Sequence, residues 1–109
     1  MPRLDFYVNS KLFVKIQLSD EILIGRGGDC QVQLPKDSVS RNHAVIRPSG
    51  EGYEIENLSS NGTRLNATML EQPRSLAGGD RLYIADYVVI YQPDDAPSAR
   101  LESEETVLG

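Results

Sequence analysis

Turn-forming residues interrupt this sequence every ten or so positions, and no window keeps apolar residues at i, i+3 and i+4 for three helical turns. A helical core is therefore ruled out, and short strands remain. Leu4, Phe6 and Val8 alternate with Asp5, Tyr7 and Asn9; Asn9-Ser10-Lys11 then turns the chain, and Leu12 to Leu18 resumes the alternation with Phe13 as its single break. That is the pattern of a hairpin. Further strands are expected over residues 21–25, 31–34, 43–47, 52–57, 63–65, 81–84 and 87–91, separated by glycine-rich or polar loops at 26–30, 35–42, 48–50, 58–62 and 77–80. The spacing predicts an all-β, antiparallel β-sandwich.

A chain of 109 residues with 39% hydrophobic positions builds one core. That core is assigned to residues 1–92. After Tyr91 the composition shifts to proline, serine and acidic residues, so 93–109 is expected to be an acidic, disordered tail. The tail carries Asp94, Asp95, Glu102, Glu104 and Glu105 against Arg100 alone, which accounts for -4 of the net charge of -5. A nearly neutral body does not present the many cations that neutralise a phosphate backbone, so nucleic acid is not an expected partner. No apolar run approaches the ~20 residues of a membrane helix, and the N-terminus lacks the basic, apolar and small-residue succession of a signal peptide. A cytoplasmic location, with no membrane partner, is the expectation. With one cysteine, Cys30, and one histidine, His43, neither a disulfide nor a zinc cluster can be assembled, and no metal or cofactor is expected.

Three loops carry the chemistry. The first, Gly25-Arg26-Gly27-Gly28-Asp29-Cys30, puts an arginine at the end of a strand where glycines let the backbone turn sharply, an arrangement suited to clamping an anion. The second runs Ser38-Val39-Ser40-Arg41-Asn42-His43 into a strand, and the third reads Asn57-Leu58-Ser59-Ser60-Asn61-Gly62-Thr63. Each taken singly is an ordinary turn, since Asn-Gly is primarily a hairpin signal. Together and in this order, Gly-Arg, Ser-x-x-His and Asn-Gly resemble the forkhead-associated (FHA) domain family. The likeness covers residues 4 to 92 and extends to Asp29, Leu34, Pro35 and Gly79-Asp80.

The resemblance implies two twisted sheets of about eleven short strands, with ligand loops at one end, and a signalling module that reads phosphothreonine on partner proteins after a Ser/Thr kinase has acted. It is not an enzyme by this reading. A phosphothreonine brings about -1.5 to -2 charge and three strong acceptor oxygens, so its receptor needs convergent donors and a fixed cation. Arg26 supplies the guanidinium fork, Ser40 a hydroxyl, Arg41 its backbone N–H or a second guanidinium, and Ser60 a further hydroxyl. Asn61 offers donor and acceptor to the peptide backbone. Gly25, His43 and Gly62 build the site without touching ligand; His43 ties the Ser40 loop to a neighbour, and Gly62 takes positive φ in a primed turn. Ser38 and Asn66 stand where the family contacts flanking peptide residues. This chain has Asn66-Ala67 where the family often has Asn-Gly, and Ala85 replaces a common glycine.

Two other functions compete with this one. Ser40 and His43 form a nucleophile and base on paper, although no natural third member accompanies them beyond Asp37 or Asp29 as nominees, and there is no strand-to-helix elbow. Alternatively the domain is a protein-interaction scaffold of the same fold without phosphate dependence. In the tail, Thr106 follows Glu104-Glu105 and is a candidate phosphorylation site, which would make the chain's own phosphorylated tail a ligand.

Overall fold

The computed structural model describes residues 2–93. Eleven strands form two sheets: β1 Arg3–Val8, β2 Lys11–Gln17, β3 Ile22–Gly25, β4 Val32–Gln33, β5 Ala44–Ser49, β6 Gly52–Asn57, β7 Arg64–Leu65, β8 Thr68–Met69, β9 Arg74–Ser75, β10 Arg81–Ile84 and β11 Tyr87–Gln92. One sheet has the order β2-β1-β11-β10-β7-β8 and the other β4-β3-β5-β6-β9. No helix occurs among the described residues. The two sheets close on side chains of alternating parity: Leu4 and Phe6 from β1, Ile24 from β3, Ile46 from β5, Ile55 from β6, Leu82 and Ile84 from β10 and Val89 from β11 are all fully buried. This is the all-β sandwich that the turn spacing predicts.

The β1–β2 hairpin turns on Asn9 and Ser10, both at positive φ (53° and 65°), the backbone of a primed two-residue turn. Its register shifts between Phe6 and Tyr7, which face Val14 and Leu12 respectively, so Phe13 is the extra residue of a β-bulge. The break in alternation at Phe13 is thus a local kink, and its exposed ring leans on Tyr87 at 6.0 Å between centroids.

Several expectations need correction. The sandwich is not wholly antiparallel, because β4 runs parallel to β3. The loop foreseen at 48–50 is shorter, since β5 continues through Pro48 and Ser49 and only then turns at Gly50, φ 61°. Pro48 is tolerated there because β3 pairs only with Ala44 to Ile46, leaving Pro48 without a neighbour on that side. Strands β8 and β9 were not foreseen. Each is two exposed residues long, too short to show any period. Strand β11 ends at Gln92, and residues 94–109, including Thr106, lie outside the described residues.

Candidate functional site

Gly25 ends β3 against the backbone of the Ser40 loop. A Cβ at this position would collide with the Arg41 carbonyl and approach the Ser40 carbonyl oxygen to 2.9 Å, so only glycine admits the contact. Through this gap the two loops zip together: Arg26 N–H donates to Ser40 O at 2.9 Å, Gly27 N–H to Arg41 O at 3.0 Å and His43 N–H to Ile24 O at 2.8 Å. The Cys30 thiol also reaches Arg41 O, at 3.2 Å. Arg26 and Ser40, distant in sequence, are therefore backbone neighbours. The Arg26 side chain is held at its root by Nε donating to Val39 O at 3.0 Å, and it remains exposed with the rest of its fork facing solvent.

His43 is buried at the start of β5 and bridges two loops. Ser40 N–H donates to its Nδ1 at 3.0 Å, and its Nε2 lies 2.9 Å from Gly62 O. Because Nδ1 accepts, the proton sits on Nε2 and is donated to the Gly62 carbonyl, which assigns the tautomer. Burial pushes the His43 pKa below 6.5, opposed in part by the bond to Gly62, so the ring is held neutral. With both ring nitrogens engaged by main chain, the imidazole is not aligned to take a proton from Ser40 Oγ. That removes the geometric basis of a Ser40–His43 nucleophilic pair.

Ser40 Oγ instead sits 2.5 Å from Ser59 Oγ. Ser59 is buried and was missed by sequence reasoning, which favoured its exposed neighbour Ser60. Ser59 Oγ accepts from Asn61 N–H at 2.9 Å, so its own proton is free to go to Ser40. The Ser40 proton is then available for an incoming acceptor. Asn57 completes the network: its side-chain oxygen accepts from Ser59 N–H (3.1 Å) and from the Thr63 hydroxyl (2.7 Å), and its amide donates to Ser59 O (2.9 Å). The apolar-to-polar sequence around Asn57 reads as a strand end. Only the buried Ser59 and Thr63 reveal it as a knot.

Gly62 has the expected positive φ, 89°, but Asn61 does not share it. The turn from Ser59 to Gly62, closed by Gly62 N–H to Ser59 O at 3.2 Å, is thus not a primed one. Arg41, Ser60 and Asn61 are exposed around Arg26 and Ser40, and Asn61 reaches across with its amide toward Ser38 O at 3.3 Å. Ser38 is exposed on the same loop as Ser40. Asn66 lies apart from this group, on the β7–β8 turn at φ 54°. Its side chain is engaged at both ends, donating to Asp80 at 3.1 Å and accepting from Arg81 N–H at 3.0 Å. The arrangement around Arg26 offers one fixed cation, hydroxyl donors and a carboxamide on a rim where, among the described residues, no acidic side chain is bonded to Arg26 or Arg41, which suits a doubly charged anion.

The FHA domain family model matches residues 22–85, the stretch that contains all three loops. The chain belongs to the FHA domain family. Among its relatives, the transcriptional regulatory protein EmbR of Mycobacterium tuberculosis is 37% identical over 70 residues, which is 63% of this chain and 18% of EmbR. The chain thus spans less than a fifth of that relative's length. The FHA domain of FhaA, solved in complex with the intracellular domain of Rv3910, superposes with a TM-score of 0.75 at 33% identity, covering 84% of this chain and 100% of that one. A further structure, from a study of phosphothreonine-dependent FHA domain interactions, gives a TM-score of 0.74 at 30% identity over 86% of this chain and 99% of its own. FHA domains are recognition modules, and homologous ones bind phosphothreonine peptides.

Proposed function

We propose that this FHA domain binds phosphothreonine-containing segments of partner proteins in the cytoplasm, downstream of a Ser/Thr kinase, and performs no catalysis. The observation that carries this reading is the zipper at Gly25, which sets Arg26 beside Ser40 on a rim shared with Arg41, Ser60 and Asn61. Arg26 forks two phosphate oxygens, Ser40 donates to a third, and Asn61 holds the extended peptide backbone. Ser59 and His43 act behind them as positioning residues. The same site accepts the chain's own Thr106 once phosphorylated, because the fifteen residues from Tyr91 span up to ~50 Å and a tethered ligand has an effective concentration in the mM range.

Isothermal titration with a degenerate phosphothreonine peptide library tests the reading. At Kd near ~1 μM the binding free energy is about -8 kcal/mol. Unphosphorylated controls should give no heat. Equal binding of phosphorylated and unphosphorylated peptides would replace this function with that of a phosphate-independent scaffold. For the tail, phosphorylating Thr106 should weaken binding of an added phosphopeptide in dilute protein, and an unchanged affinity refutes the self-ligand.

A further inference from the structure

Arg26 and Arg64 are anchored in the same manner. Arg26 has its Nε tied to a main-chain oxygen and the rest of its fork in solvent. Arg64, on β7, repeats this: its Nε donates to Asn66 O at 3.1 Å, and its guanidinium lies over the half-buried Tyr83 ring, 4.3 Å from the centroid. Together the bond and the ring contact orient the guanidinium plane and leave its terminal nitrogens to other partners. The acceptor is itself held, since the Asn66 side chain bonds to Asp80 and to Arg81 N–H. Arg64 is exposed, and among the described residues no acidic side chain pairs with it. A guanidinium already ordered, yet without a counter-charge, has less rotamer freedom left to lose when an anion arrives.

The surroundings of Arg64 join it to the loop site. Arg64 stands opposite Tyr83 on β10 and Met69 on β8, and directly opposed residues share a face, here the outer one because Leu65 and Leu82 turn inward. Met69 is 52% exposed, and its methyl group rests against Gly62 in the space that a Cβ there would fill. Asn61, the neighbour of Gly62, bonds to Ser38 O on the Ser40 loop. A continuous surface thus runs from the Ser40 loop over the Asn61–Gly62 turn and Met69 to Arg64. Along the chain Arg64 lies at most ~10 Å from Asn61, which about three residues of an extended peptide would cover. We propose that Arg64 reads an acidic side chain of the bound peptide about four residues from the phosphothreonine, one residue lying beside Asn61 and about three more reaching the guanidinium. This role rests on the phosphopeptide reading above. The terminal nitrogens of Arg64 donate to the two carboxylate oxygens, and the intervening peptide packs on Met69, whose unbranched thioether adapts to many side chains. Arg26 then sets the requirement for phosphate, and Arg64 selects among phosphopeptides.

The test titrates the full chain with phosphothreonine peptides that carry no charged side chain except the phosphate and a single aspartate, moved from position to position on either side. An otherwise identical peptide with alanine in place of the aspartate is the reference. Affinity should peak with the aspartate about four residues from the phosphothreonine on one side, at about two- to fivefold above the reference, the range of a solvated ion pair. Arg64→Gln should erase that peak and leave the affinity of the reference unchanged. Arg64→Glu should turn the preference to lysine at the same place. An Arg64 that merely packs on Tyr83 would, when replaced, alter all peptides alike while the aspartate peak survives, and that result overturns the proposal. So does a parent protein indifferent to where the aspartate stands. The reference peptide separates the two failures: its binding persists when only the role of Arg64 fails, and is absent when the domain does not bind phosphothreonine, which overturns both readings.

Discussion

The loop end and the sandwich interior of this molecule are held by different forces. The interior rests on apolar side chains such as Ile24, Ile46, Ile55 and Leu82, whose burial is non-directional and tolerant of small shifts. The loop end rests on a directional chain running Gly62–His43–Ser40–Ser59–Asn57–Thr63, in which each donor has one acceptor and each acceptor a defined place. Apolar contact supplies stability. The polar chain supplies position, because a hydroxyl or guanidinium that must meet a phosphate oxygen has little freedom in distance or angle.

The division can be broken most forcefully from the interior. Leu82→Ala should lower stability by about 2 to 5 kcal/mol in denaturant titration, while the molecules that remain folded bind phosphopeptide with unaltered affinity. Loss of affinity in the folded fraction would mean that the core also positions the loops. Arg26→Ala makes the reverse test: a loss of about 2 to 5 kcal/mol in binding, read by calorimetry, with little change in thermal midpoint. Ser40→Ala removes one donor to a charged group and should cost roughly 1.5 to 3 kcal/mol of affinity. Ser59→Ala, which touches no ligand, should weaken binding less than Ser40→Ala, and a larger effect would move Ser59 into direct contact.

Acid sharpens the comparison further. The folded His43 pKa lies below its ordinary 6.5, so neutral His43 contributes stability that is complete above pH about 6.5 and lost as pH falls through the folded value. Protonation puts a hydrogen on Nδ1 and breaks its bond from Ser40 N–H. Thermal melts without peptide should therefore decline below pH 6.5 in the parent protein. The decline should shrink in His43→Asn, and a parent whose melting does not respond to acid in that range would remove His43 from the loop linkage. The smallest effect belongs to the β10–β11 turn, where Ala85 adopts φ 52°. Ala85→Gly relieves that strain and should raise stability by about 1 kcal/mol, leaving peptide affinity unchanged.

The three loop motifs were legible because each combines residue types that a sharp turn or an anion demands, and their joint order carried the family. The interior strands were legible through alternation. Strand β4 shows how that signal ends: the sequence places a strand within 31–34, but that Val32–Gln33 runs parallel to β3 depends on where the preceding loop crosses. Ser59 and Ser60 mark the same limit within the site. The two serines are adjacent and chemically identical, and only burial against Ser40 tells them apart.

By itself, the order of residues determined that this chain forms short strands, that Arg26, Ser40 and Asn61 stand at turns, and that the charge is concentrated in the last seventeen residues. These follow from local preferences of φ, side-chain alternation and composition, which need no knowledge of distant partners. Tertiary structure decided that Gly25 admits the Arg41 carbonyl and that the His43 proton rests on Nε2. Those depend on contacts between segments far apart in sequence, and a hydrogen bond or a steric gap has no local signature until both sides are in place.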